Sequence, residues 1–355
     1  MRRIELMMEE THAVSDPLAA ALGGAPMLHR LSPRWLILFT LVVLLLPGCS
    51  DGADDGAATT PAPVTTAATF TTTKDFVYLV YEGAEFIADM YVPAGDGPWP
   101  VVVMFHGNAP AGKNDSYTTV VAEAAAAAGM RVLVPNWLTR VGQITPETFD
   151  FFYAAANCAV AYAQPDPFVA VPVAVYGVSA GVGPASVAAL DPATEPIPGC
   201  VAETPPVPVQ GAVLGDGEYF LHSTLFDSAF DANREAMQAT VAKIVDPSQW
   251  PSDMETRFFL WVADNGTAPR WFDDPWDETG WLAQRDPDGS IRGDLERLGQ
   301  LDDGVINFID QGQFMALRLG EAGIEVALDN FPGGHVTRDK VPELVGYLTD
   351  AAATN

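Results

Sequence analysis

Gly177, Val178, Ser179, Ala180 and Gly181 follow directly on an apolar run, 171–176, and lead into a stretch of small residues that reaches Ala189. That order predicts a short buried strand, then a helix, with the serine on the turn between them. Gly-x-Ser-x-Gly at a strand-to-helix junction is a nucleophile elbow, a turn so tight that the serine backbone is strained and its hydroxyl stands clear of the sheet. Glycine two residues to either side leaves the space that a Cβ would fill. A serine hydroxyl is a weak nucleophile at neutral pH, so the chemistry also needs a base within reach and a group that orients the base. The chain has five histidines. One of them, His335, ends the string Phe331, Pro332, Gly333, Gly334, His335, a Gly-rich turn beyond the last predicted strand.

The elements that must position these groups alternate between strand and helix. Residues 76–81 and 86–92 alternate apolar and polar side chains and read as two antiparallel strands at a sheet edge, followed by a turn at Asp96, Gly97, Pro98 and Pro100. The continuous apolar run 101–105 reads as a buried parallel strand. An alanine-rich helix is expected over 116–128, closed by Gly129, and then a strand over 131–134. After a loop at 137–143, Thr145 as cap and Pro146 in the first turn start a helix that reaches about residue 163. Strands follow at 211–214 and 257–262 with a helical pattern at 228–246 between them. Helix 306–321 is closed by Gly323, strand 324–328 is the last, and helix 341–348 closes the chain.

With GVSAG as its elbow, the chain resembles an α/β-hydrolase of the esterase and dienelactone-hydrolase-like branches, over residues 76–348. The resemblance implies a mostly parallel central sheet with helices on both faces, and a lid or insert before the last helix-strand pair. It implies that His106 and Gly107, after strand 101–105, open the oxyanion loop, so that a backbone N–H of Asn108 or Ala109 joins that of Ala180. His106 itself either braces this loop or meets the substrate. Asp264, just after strand 257–262, stands where the resemblance puts the carboxylate that orients the histidine. It lies slightly nearer the strand than the usual acid, so Asp273, Asp274 and Asp216 remain alternatives, as does a solvated aspartate without a catalytic role. His335 stands where the resemblance puts the general base, and Ser179, Asp264, His335 is the matching chain order. The function implied is hydrolysis of carboxylic esters through an acyl-enzyme, with no metal and no organic cofactor. Alternatives are a peptidase or another acyl-transfer enzyme on the same triad, and a non-catalytic surface-bound binding lipoprotein.

Segment 269–304 is longer than such a fold needs and carries Trp271, Phe272, Trp276 and Trp281 among acidic residues. These tryptophans would wall or cover a substrate cleft, or simply pack in the core. Asp286, Asp288 and Gly289 resemble part of a calcium loop, but Gln284 and Leu295 would fill its first and twelfth positions, so no metal site is expected there.

Ahead of the catalytic block, 74–355, the sequence changes character. Residues 35–46 form an apolar block behind His29, Arg30 and Arg34, too short to span a bilayer and of the length of a signal-peptide core. Met27 is an alternative start. The block ends in Leu46, Pro47, Gly48, Cys49, which resembles the lipobox of bacterial lipoproteins apart from Pro47. The expected organisation is therefore a signal peptide over 1–48 and a tether over 49–73 lipidated at Cys49, which puts the protein outside the cytoplasm and anchored to the cell membrane. Ordinary secretion or an uncleaved anchor is the alternative. The tether holds almost no large apolar side chain and cannot offset its own ordering entropy. With Cys49 lipidated, Cys158 and Cys200 are left in an oxidising compartment, where they form a disulfide or stay as two buried thiols. The formal net charge is −28, from 18 Lys+Arg against 46 Asp+Glu. That field repels phosphate backbones and excludes nucleic acid as a partner, leaving an ester substrate and, through lipid, a membrane.

Overall fold

Valine-rich runs such as Val101–Phe105 have no polar face, so they are stable only where both faces of a sheet are covered. The computed structural model covers them on both sides. It describes residues 70–107, 111–137, 146–164, 171–217, 219, 242–264, 290–300, 308–332 and 338–353, with backbone alone at 146–150 and 264. The strands are β1 (Phe70–Tyr81), β2 (Ala84–Pro93), β3 (Val101–Phe105), β4 (Arg131–Pro135), β5 (Val173–Val178), β6 (Gly211–Gly215), β7 (Arg257–Asp264) and β8 (Val326–Pro332). They form one sheet in the order β1-β2-β4-β3-β5-β6-β7-β8. The pairings β1 with β2 and β2 with β4 are antiparallel, and the rest are parallel.

The helices are α1 (Ser116–Ala127), α2 (Pro146–Ala163), α3 (Val182–Leu190), α4 (Ser290–Arg297), α5 (Phe308–Glu321) and α6 (Val341–Ala351). Alternate side chains of one strand feed two cores. Val101, Val103 and Phe105 belong to one buried cluster with residues of α2, α3, α4 and α5. Val102 and Met104 pack with Tyr117 and Val121 of α1 and Leu344 and Leu348 of α6. Asp115 caps α1, its carboxylate accepting from the N–H groups of Tyr117 and Thr118, and Gly129 ends the turn after it at a φ of 93°.

Among the boundaries that differ from the sequence reading, four have a clear packing reason. β1 begins at Phe70, so 70–73 are strand rather than tether; the Phe70 ring lies 6.0 Å from that of Tyr91. β5 runs on through Gly177 to Val178, because its pairing with β6 extends to Val178 opposite Gly215. β7 reaches Asp264, which is therefore the last residue of the strand rather than the first beyond it. β8 extends through Phe331 and Pro332, where the Phe331 ring stacks on Trp261 at 4.2 Å and the ladder closes with Pro332 opposite Asp264.

Of the long segment before the last helix-strand pair, α4 is a core helix, burying Ile291 and Leu295. Trp271, Phe272, Trp276 and Trp281 lie outside the described residues, as do Cys49, Met27 and the whole of 1–69. The described helices include none long and apolar enough to cross a membrane. Cys158 of α2 and Cys200 are joined by a disulfide, Cα to Cα 5.5 Å, so the two-thiol alternative is set aside. The stretch around Cys200 lies along β1: Val80 N–H donates to Gly199 O and Val201 N–H to Tyr78 O, both at 2.9 Å.

Candidate active site

The carboxyl ends of β5, β6, β7 and β8 define the site. Val178, last in β5, is level with Gly215, which is level with Trp261. Ser179 and Asp216 are thus neighbours one residue beyond, and β7 rises about two residues, some 7 Å, past them to Asp264.

Ser179 has a φ of 53°, a left-handed conformation that is costly for a residue with a Cβ. The geometry around it enforces this. A Cβ on Gly177 would lie 2.4 Å from Gly181 O, and one on Gly181 would lie 2.2 Å from Phe105 O. Neither position tolerates any other residue without a backbone shift. A single 3-10 turn, Ser179–Gly181, then passes into α3, whose amino end directs its dipole at the serine. The turn after β3 touches the same point: a Cβ on Gly107 would stand 3.2 Å from Ser179 Cβ. Of the expected oxyanion donors, Ala180 is in this turn, while Asn108 and Ala109 lie outside the described residues.

His106, directly after β3, is fully buried. Its Nδ1 lies 2.8 Å from Gly107 O, which can only accept, so the proton is on Nδ1. The Trp137 indole donates to His106 O at 3.0 Å, and the two rings lie 5.7 Å apart. These contacts support the bracing role over contact with substrate. Burial pulls the imidazole below its ordinary value of 6.5, opposed only in part by hydrogen bonds with the Gly107 backbone and the Asn136 side chain and by the Asp115 charge. The unfolded chain therefore takes up a proton as pH falls through that value while the buried ring does not, and the fold loses stability there. Chemical unfolding followed from about pH 8 to about pH 5 is expected to show that loss below about pH 6.5, and His106→Gln is expected to flatten it. Equal slopes for the two proteins would refute the assignment.

Asp216, one strand from the serine, is also fully buried and left-handed, with a φ of 46°. Its N–H donates to Trp261 O at 2.9 Å and its Oδ1 accepts from Ala263 N–H at 2.6 Å. The carboxylate thereby ties the end of β6 to the residue before Asp264. Asp264 itself is described as backbone at the end of β7, opposite Pro332. His335 falls in 333–337, outside the described residues, as do Asp273 and Asp274. The stretch that carries His335 leaves the sheet at Pro332, beside Asp264, and rejoins the described chain at Arg338, whose guanidinium donates to Ser116 Oγ at 2.5 Å. Sequence reasoning missed three long-range ties in this part of the fold: the Trp137 bond to His106, the Asp216 latch, and the ion pairs of Lys113 with Asp89 and Asp75. All three join residues distant in sequence, so no local pattern reveals them. No cluster of three or more metal-ligating side chains occurs among the described residues.

No protein-family model matches the chain, and no curated protein sequence matches it. Solved structures do match it. A truncated carbohydrate esterase from gut microbiota aligns at a TM-score of 0.54 and 13% identity, over 82% of this chain and 99% of its own. A thermophilic esterase from the planctomycete Thermogutta terrifontis, with propionate bound, aligns at 0.51 and 13%, over 82% and 98%. Esterase B from Lactobacillus rhamnosis, inhibited by a tributyrin phosphonate, aligns at 0.52 and 12%, over 79% and 85%. Sheet order, helices on both faces and this likeness to esterase structures together establish that the chain has the α/β-hydrolase fold.

Proposed function

We propose that the protein is a serine hydrolase that cleaves carboxylic esters through an acyl-enzyme. The observation that carries this reading is the backbone of Ser179, left-handed at the end of β5 and wedged between two glycines that admit no Cβ. Strain of this kind persists only where its surroundings enforce it, and it clusters at active sites. In the proposed reaction Ser179 Oγ attacks the ester carbonyl as His335 accepts its proton, and Asp264 holds the imidazole in the right tautomer and stabilises the imidazolium. The oxyanion is held by the N–H groups of Ala180 and of Asn108 or Ala109, at about 3 kcal/mol per donor. His335 then protonates the departing alkoxide and activates the water that releases the acid.

The test is fluorophosphonate labelling of the full chain together with turnover of p-nitrophenyl butyrate. The expected result is a single adduct whose peptide maps to Ser179, with ester turnover that the label abolishes. An unlabelled serine in a folded protein would favour the binding-lipoprotein reading. Labelling without turnover on esters of any acyl length, but with turnover on peptides, would favour the peptidase.

We further infer a location outside the cytoplasm, anchored through lipid on Cys49. The lipobox-like string supports it, and so does the Cys158–Cys200 disulfide, a bond that persists in oxidising compartments. Detergent-phase partitioning should be lost in Cys49→Ser, and equal partitioning of the two proteins would refute the anchor.

A further inference from the structure

Asp216, Gly217 and Tyr219 follow β6, the strand that lies between β5, which ends at the serine, and β7, which ends at Asp264. All three residues are buried. One end of this turn holds β7, since Asp216 N–H donates to Trp261 O and its carboxylate accepts from Ala263 N–H. The other end is held by α5, where Gln311 Oε1 accepts from Tyr219 N–H at 2.9 Å. Between these ties Gly217 meets α3. A Cβ on Gly217 would lie 2.7 Å from Cγ1 and 2.9 Å from Cγ2 of Val182, and 3.0 Å from Tyr219 Cζ. Carbon contacts are ordinarily about 3.5–4.0 Å, so an added methyl group has no room against either side chain.

Gly217 does not have a left-handed φ, so its own backbone does not call for glycine. What calls for it is the neighbouring elbow. Val182 opens α3 directly after the turn Ser179–Gly181, and its N–H donates to Ser179 O. It is fully buried, and a β-branched side chain in a helix has essentially one rotamer. A push on its methyl groups is therefore passed to its backbone, and through the N–H to the serine. On the opposite side the elbow is stopped by β3 and the turn after it, with Phe105 O against Gly181 and Gly107 against Ser179. The elbow thus stands between the ends of β3 and β6, and a glycine makes the close approach on each side.

We propose that Gly217 is a positioning residue for catalysis: by letting the turn after β6 close on Val182, it sets how far Ser179 stands from the end of β7, to which Asp216 ties the same turn. The inference rests on the reading of Ser179 as nucleophile. In this role Gly217 touches no substrate and contributes only clearance. A reacting group displaced by about 1 Å costs up to about 100-fold in rate.

The test is Gly217→Ala in the full chain. On p-nitrophenyl butyrate, kcat is expected to fall about 30-fold with KM unchanged, and the rate of fluorophosphonate reaction at Ser179 is expected to fall by the same factor. Removing the methyl groups that meet the new one should reverse both losses, so G217A/V182A is expected to return to within about threefold of Val182→Ala alone. A structural role alone would lower the urea midpoint of Gly217→Ala and leave kcat of the folded protein at the wild-type value, and that result overturns the proposal. A loss of kcat that Val182→Ala does not reverse overturns it as well. Should Gly217→Ala not fold, Val182→Ile enlarges the other side of the same contact; about a tenfold fall in kcat at constant KM supports the proposal and wild-type kcat overturns it. Wild type assayed beside Ser179→Ala separates the two readings: turnover that does not depend on Ser179 overturns the nucleophile and this inference together, whereas Ser179-dependent turnover that ignores Gly217→Ala overturns this inference alone.

Discussion

Replacing Ser179 by alanine is expected to lower kcat on an aryl ester by about 10⁵- to 10⁶-fold, and replacing His335 by alanine by nearly as much. The double variant should lose no more than either single one, because nucleophile and base act as one unit and the step fails when either is gone. Multiplicative losses would mean that the two side chains do not share a reaction. Asp264→Asn should cost about 10⁴-fold by stabilising the wrong imidazole tautomer. The buried carboxylate of Asp216 supplies the contrast. It ties β6 to Ala263 N–H, so Asp216→Asn should perturb the end of β7 and cost less than Asp264→Asn. The reverse ranking, with Asp216 the costlier loss, would transfer the acid's role to β6. Steady-state kinetics on the four folded single variants decide between these outcomes.

Removing the disulfide should produce the largest loss of stability from any covalent change outside the site. Cys158 and Cys200 are 42 residues apart, and cross-linking a loop of that size removes enough freedom from the unfolded chain to contribute about 4 kcal/mol. The C158A/C200A variant avoids placing a hydroxyl where Cys158 is fully buried. Its urea unfolding free energy is expected to fall by about 4 kcal/mol, and reduced wild type should match it. A transition that superimposes on that of the oxidised wild type would show that α2 is held by packing alone.

The parts of this fold legible in the sequence were those whose signal is local. Val101–Phe105 reads as a buried strand because nothing polar interrupts it, and Ser116–Ala127 reads as a helix because alanine favours it and Gly129 stops it. The elbow is legible because its glycines are required by sterics, which leave a mark on the chain itself. Strand ends were less legible. Whether β8 stops at Leu328 or at Pro332 depends on Trp261, more than sixty residues earlier, offering its ring to Phe331. The same holds for Asp264, whose place on β7 is set by the ladder with β8 rather than by its neighbours in sequence. Lys113 marks the extreme case, since its partners lie on β1 and β2 and its own surroundings in the chain look like an ordinary polar loop.

The stretch Gly199–Val201 has a consequence beyond the stability it shares with Cys200. It occupies backbone groups of β1, the outermost strand, through the Val80 and Tyr78 bonds, beside the exposed side chains of Val80 and Val201. Such a margin, once uncovered, is a template on which another copy can add strand to strand. Reduction should therefore promote self-association, with light scattering that grows with time and concentration after thiol treatment and stays flat without it.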